Sequence, residues 1–353
     1  MNARGSVARA GSSFIAVLLA ICVALILLLL VDAPPLEAMR LLWEGAFGSP
    51  DKISDTLMAW VPLALASAGL VMTFAAGLWN IGVEGQIVTG AIAASWVARE
   101  GPGPAYGVIP LALIGGMIGG ALWALLAGVL KTRGGVNEIF GGLGLDFVAS
   151  GLAIYLIIGP WKRQGVASTS GTDLFRPEAW LPTLEGSRLS LMALGLAVLA
   201  VILVYLLMRG TMFGLRLKAV GSSARSAHVM GIPTDRYLLG AFAVCGALAG
   251  LAGAIQATGV HHKLVPAVSG GYGFLGILVV LLAGFRAVRI GPIALFFVAI
   301  SVGSTQLSLR LNLDSALAGV LQGVLVLFVL LAGGWRLRRA LGSAQGSGSS
   351  EEA

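Results

Sequence analysis

Residues 77–90 read GLWNIGVEGQIVTG and place Asn80, Glu84 and Gln86 between two stretches that are nearly pure hydrocarbon. Glycines flank and punctuate the polar residues, so the segment reads as an interruption in an apolar run, and its meaning depends on the solvent around it.

Composition identifies that solvent. Of 353 residues 57% are hydrophobic and 11% charged, with a mean hydropathy of +0.92, whereas a water-soluble domain carries roughly 25% charged residues. A helix crossing about 30 Å of hydrocarbon at 1.5 Å per residue needs about 20 apolar residues. The chain can supply many such spans and has no room for a soluble catalytic domain. The net charge of +7 does not point to nucleic acid, because the basic residues fall one to three at a time between apolar runs. Cys22 and Cys245 sit within apolar runs and read as small buried hydrophobes. His228, His261 and His262 lack ligand spacing, so no metal site is expected.

The expected fold is an all-α polytopic membrane protein of about ten transmembrane helices. The candidate spans are 14–31, 56–78, 84–99, 108–130, 139–159, 188–208, 238–258, 273–285, 290–309 and 314–333, with boundaries good to about three residues. The first follows Arg4 and Arg9 and is long enough to be a retained helix rather than a cleaved signal. Residues 1–337 form the membrane domain, and the Gly/Ser-rich stretch 338–353 is expected to be a disordered tail. With the N-terminus inside, 14 Lys and Arg fall on the inner side and 9 on the outer, accounting for all 23. That bias places both termini in the cytoplasm.

Spans two to five and seven to ten form two groups of four with inverted topology, joined by spans one and six. NIGVEGQ leads into the short third span and SGGYGFLG into the short eighth, at corresponding places in the two groups. Short, Gly-broken segments at matching positions of inverted halves point to a binding site near the bilayer midplane. Gly115/Gly119, Gly116/Gly120 and Gly246/Gly250 have the G-x-x-x-G spacing of closely packed helices. GYGFLG also satisfies G-x-G-x-x-G, but it follows no strand, opens an apolar helix and has no acid some 20 residues on, which excludes a dinucleotide fingerprint. The chain holds no Gly-Lys pair and therefore no phosphate-binding loop of the G-x-x-x-x-G-K type.

Two polar loops separate the groups. The outer one, 159–186, carries Trp161 and Trp180, which suit an interfacial anchor or an extracellular partner. The inner loop, 209–237, contains SSARSAHVM. Ser222 or Ser223 can cap a short helix there, and Gly231 with Pro233 can end it. Ala224 and Ala227 lie three apart on one face, with Arg225 and His228 nearby. Such a helix can dock in a groove of a cytosolic protein or serve as a solvated connector.

NIGVEGQ (80–86), KAVGSSARSAHVMGI (218–232) and GALAGLAGAIQA (246–257) resemble the permease subunits of bacterial ATP-binding-cassette importers. The nearest branch takes up simple sugars and nucleosides, within the wider group of ribose and branched-chain amino acid permeases, and the likeness runs from about residue 56 to 335. The resemblance implies a multi-pass protein of the bacterial plasma (inner) membrane, without catalytic residues or cofactor of its own. ATP and Mg would be bound by a separate cytosolic ATPase subunit. The implied partners are that ATPase, a second and different permease subunit, an extracellular or periplasmic substrate-binding protein and membrane lipid, with no nucleic acid. Residues 218–232 would then be the coupling helix, with Gly221, Ala227, Gly231 and Ile232 fitting its pattern, while Ser223 and Ser226 stand where Asn and Ala are expected. In GVNEIFGGLGLDF, Asn137 and Glu138 match, whereas Asp146 stands where Asn is more usual.

An acid at the centre of a span costs roughly 2.5–3.5 kcal/mol on insertion scales, so Glu84 should face protein or an aqueous cavity. It can hold broken backbone together, line a translocation path or carry a proton. Asn80 and Gln86 donate as well as accept, which suits a neutral, hydroxyl-rich solute such as a nucleoside or sugar. The pathway candidates are Asn80, Glu84, Gln86, Asn137, Glu138, Asp146, Ser269, Tyr272 and Phe274, and the coupling candidates are Gly221, Ala224, Arg225, Ala227, His228, Gly231 and Ile232. Glu84, Glu138, Asp146 and Asp314 lie in or near spans, and none has an obvious basic partner within a span, which argues against a buried ion-pair relay. An ion-gradient-driven secondary transporter is the alternative; an intramembrane enzyme lacks a nucleophile with a base.

Overall fold

The apolar runs fold as helices whose ends fall at caps, prolines and glycines. The computed structural model describes residues 34–311, apart from 102, 164 and 166–169, together with 319, 320, 323, 324 and 327. The helices are α1 (Pro35–Phe47), α2 (Pro50–Ala75), α3 (Val83–Glu100), α4 (Ala105–Thr132), α5 (Glu138–Ile158), α6 (Leu191–Gly210), α7 (Met212–Ser222), α8 (Ala224–Val229), α9 (Thr234–Ile255), α10 (Tyr272–Ala283) and α11 (Ile290–Leu311). No strand occurs among the described residues. Side-chain caps open several helices: Asn137 Oδ1 accepts from Ile139 N, Thr211 Oγ1 from Gly214 N and Ser223 Oγ from Ser226 N, each satisfying a donor that has no partner inside the helix.

Among the described residues six helices are long and apolar enough to cross a membrane, against about ten expected for the whole chain: α2, α4, α5, α6, α9 with its following turn, and the stretch from Ala287 through α11. The expected third span exists as α3 but carries Glu84, Arg99 and Glu100 within its 18 residues. The eighth is α10, whose 12 residues reach only about 18 Å. The candidates at 14–31 and 314–333, and the tail at 338–353, lie wholly or mostly outside the described residues.

Residues 50–298 form one compact unit. α3, α4 and α9 pack at its centre, with α2 against α9, α6 and α10. The central contact is made by glycines. A Cβ on Gly250 would fall on the carbonyl of Gly116, one on Gly90 on the backbone of Gly250, and one on Gly253 on the carbonyl of Ile87. Gly115 and Gly119 instead face Val97 and Ala93 of α3, so the two staggered glycine pairs of α4 serve two neighbours. α4, α5 and α6 leave most of their apolar surface exposed, as helices facing lipid do, because hydrocarbon exacts no penalty for an exposed Leu. In the second unit, which among the described helices comprises 34–49 with 299–311, α1 lies against the later part of α11, where a Cβ on Gly303 would meet Leu42 O.

After α9 the chain widens into a π-helical turn at Gln256–His261 and leaves through left-handed His262 (φ 52°). A wide turn misaligns the backbone ladder, and the 159–187 loop supplies partners. Thr172 N donates to Leu264 O (2.9 Å), Phe175 N to His262 O (2.8 Å) and Leu181 N to Thr258 O (3.2 Å). Trp180 stacks on His262 at 4.2 Å and donates its indole N–H to Phe175 O. The ring is therefore held inside the loop and does not reach outward as an anchor.

Candidate functional site

The polar interruption of residues 77–90 lies where the N-termini of α3 and α10 meet. Each helix start leaves backbone N–H groups without intrahelical partners, and in hydrocarbon each such group costs several kcal/mol. Two carboxylates meet this demand crosswise. Glu84, in the first turn of α3, accepts from Gly271 N through Oε1 (3.1 Å) and from Gly273 N through Oε2 (2.7 Å), both at the start of α10. Asp146, midway along α5, accepts from Gly85 N in the first turn of α3 through Oδ1 (2.7 Å). Acceptor oxygens at helix N-termini also meet the positive end of the helix dipole.

Small residues permit this approach. A Cβ on Gly273 would fall on Glu84 Oε2, one on Gly85 within 2.7 Å of Asp146 Oδ1, and one on Gly142 within 2.7 Å of Gly82 N. Gly271 is left-handed (φ 76°), which lets its N–H turn toward Glu84 without side-chain strain. Asn80 and Gln86 pair amide to amide at 3.0 and 3.2 Å, and Asn80 Nδ2 also reaches Cys245 Sγ at 3.2 Å. Asp146 is only 6% exposed, and its Oδ2 has no hydrogen-bond partner among the described residues.

Of the residues that the sequence offers for a pathway, Asn80, Glu84, Gln86 and Asp146 gather at this node and are buried there. Ser269 is buried in the preceding turn, where its carbonyl accepts from Tyr272 N; Tyr272 is half-buried and Phe274 exposed. Asn137 and Glu138 stand apart at the start of α5. Asn137 caps that helix, and Glu138 pairs with Lys131 at 2.6 Å, seven residues earlier and just beyond the expected span 108–130, at the end of α4. Sequence reasoning passed over three participants: Lys131, Cys245 and the N–H groups of Gly271 and Gly273. Only Lys131 left a signal, a cation closing one helix just before an acid opens the next.

The coupling candidates lie in the hairpin of α7 and α8. Ala224, Arg225, His228 and Gly231 are exposed, whereas Ala227 is fully buried and Ile232 donates to Ala227 O (3.0 Å). The most exposed apolar residues of the hairpin are Val229 and Met230, 81% and 68% exposed, with Met212 and Leu215 of α7 also outward. Gly221 is tight against the end of α2, where a Cβ would fall on Ala75 O, and its own carbonyl lies beside left-handed Gly77. From Gly77 the chain runs seven residues to Glu84. No group of three or more His, Cys, Asp or Glu that could hold a metal ion occurs among the described residues.

Two clefts lie away from the node, at opposite ends of α2. One, of about 680 Å³, is lined by Asp51, Asp55, Glu185 and Arg188. The other, of about 450 Å³, contains Arg209, Lys218, Arg286 and Arg289.

Comparison with known proteins covers most of the chain. Residues 52–330 match the family described as branched-chain amino acid transport system / permease component. A glucose ABC transporter permease of Haloferax volcanii is 32% identical over 330 residues, 91% of this chain and 87% of that one. A guanosine ABC transporter permease of Bacillus subtilis is 29% identical, covering 95% of this chain and 96% of its own length. A nucleoside ABC transporter permease of Lactococcus lactis is 28% identical, covering 82% of each.

Proposed function

The chain belongs to the family of branched-chain amino acid transport system permease components, and on that premise we propose that it is the permease of an ATP-binding-cassette importer for a small, neutral, hydroxyl-rich solute, a nucleoside or simple sugar. The substrate class is supported by the relatives, which are named for glucose, guanosine and nucleosides, and by the scarcity of charge in the spans. A cytosolic ATPase binds and hydrolyses ATP with Mg, an outer substrate-binding protein delivers the solute, and a second permease completes the pore. Both termini face the cytoplasm, on the side where Lys and Arg are in excess.

The observation that carries the mechanism is the clasp of Glu84 on Gly271 and Gly273. Both carboxylate oxygens are engaged with backbone, so in this conformation Glu84 holds two broken helices together and leaves solute contact to neighbouring groups. The hairpin of α7 and α8 is the coupling element. Closure of the ATPase pushes on Val229 and Met230; α7 transmits the movement through Gly221 to residues 75–77, and the short link to Glu84 carries it to the clasp. Separation of the α3 and α10 N-termini would then open the solute path.

Replacing Val229 and Met230 together by Asp tests this reading, since both are exposed and their loss should leave stability within about 0.5 kcal/mol. Uptake by the assembled transporter should fall at least tenfold while expression holds. Unchanged uptake would refute the coupling role, and uptake driven by an ion gradient without the ATPase would refute the importer.

A further inference from the structure

We propose that the cleft between the ends of α6 and α7 and the α10–α11 turn binds the phosphate headgroup of an anionic phospholipid. Arg209, Lys218, Arg286 and Arg289 converge on it, and among the described residues no acidic residue lines it. Lys218 Nζ donates to Met208 O (2.7 Å) and Arg209 to the Tyr205 hydroxyl. These neutral partners orient the cations and leave their charge uncompensated. Four like charges around a cleft of about 450 Å³ raise a positive potential that an anion relieves.

Depth selects the lipid. Arg209 lies in the last turn of one candidate span, and Ala287 begins another, so the cleft opens at the edge of the hydrocarbon. Its remaining lining includes Val71, Met208, Phe285 and Val288, and Val288 is 64% exposed. On α6, Val198, Ile202, Tyr205 and Arg209 follow one another at spacings of four, three and four and so share one face. Val198 and Ile202 are exposed there, which gives an acyl chain an apolar track leading away from the cations. Free phosphate has no use for such a track. The turn that presents Arg286 is fixed by two successive left-handed residues, Gly284 and Phe285 (both φ 61°), with Phe285 packed edge-on against Phe74 at 5.8 Å. A left-handed Phe is unfavourable by itself and persists where its surroundings hold it. Basic pockets between spans are a recognised form of headgroup site.

The test uses the full-length chain in its purified transporter complex, probed with dioleoyl phosphatidylglycerol, with dioleoyl phosphatidylcholine and with inorganic phosphate. Retention is read by native mass spectrometry, and thermal unfolding is followed in parallel. Phosphatidylglycerol should be retained and should raise the unfolding temperature, while the other two should do neither. R286Q/R289Q should weaken phosphatidylglycerol binding about 30-fold, the expectation for losing two surface charges, with lipid-free stability unchanged. If the double variant misfolds, R286Q alone, outside any α-helix, should show a loss of about fivefold. Equal retention of the two lipids would overturn the proposal, as would equal stabilisation by inorganic phosphate or unchanged affinity in the variants. None of these readings requires transport, so they stand or fall apart from the importer assignment.

Discussion

The clasp at the start of α3 and the crossing of α4 with α9 lie in the same compact unit and solve opposite problems. At the crossing the backbones are fully helical, every main-chain group is satisfied within its own helix, and the difficulty is distance. Glycine solves it by removing side chains, and nothing polar is needed. At the clasp the helices are broken and the difficulty is valence, because free N–H groups need acceptors, which Glu84 and Asp146 provide. One region is therefore specified by volume and the other by hydrogen-bond chemistry, and substitutions should separate them.

The largest effect is expected at the crossing. Gly250→Leu would drive a side chain into the backbone of Gly116 and Gly120, beyond the about 1–3 kcal/mol of ordinary overpacking, and should leave no folded protein by size-exclusion chromatography in detergent. Glu84→Ala comes next. It orphans the buried Gly273 N–H and the part-buried Gly271 N–H, about 1–3 kcal/mol each with the second toward the lower end, and should lower stability by about 3 kcal/mol in thermal unfolding. Glu84→Gln keeps one acceptor and turns an NH₂ toward the other donor, so a loss of about 2 kcal/mol is expected. A fully stable Glu84→Gln variant would show that the second hydrogen bond contributes nothing and would reduce the clasp to a single contact. Asn80→Ala, which breaks the amide pair with Gln86 and the contact with Cys245, should cost about 1–2 kcal/mol. If uptake fell far more than stability there, Asn80 would be a solute contact and the division between the two regions would need redrawing.

Legibility followed the same division. The glycine crossing could be read from spacing, because G-x-x-x-G places small residues on one helix face whatever lies opposite. That Gly116/Gly120 meet α9 while Gly115/Gly119 meet α3 could not be read, since spacing gives the face but not the neighbour. The polar interruptions before α3 and α10 were visible as matching breaks. Their partnership was not, because Glu84 and Gly271 lie 187 residues apart and a backbone N–H leaves no mark in a sequence. The short inner-loop helix appeared with its Ser223 cap and Gly231 stop. Its faces did not: Ala227 turns inward, and Val229 and Met230 take the exposed positions. Of the ten expected spans, 14–31 and 314–333 lie wholly or mostly outside the described residues; six of the other eight are helices of sufficient length and apolarity, and the two that are not are the short ones, α10 with 12 residues and α3 with Glu84, Arg99 and Glu100 among its 18.

The sequence by itself determined the solvent, the helical class, the close-packing faces and the two places where helices break, all of which follow from local composition and spacing. Only the tertiary structure decided what the breaks are for. A carboxylate in hydrocarbon is explained by its acceptor geometry, and that geometry exists once α10 has been brought to α3 and the glycines have let their backbones come within hydrogen-bonding distance.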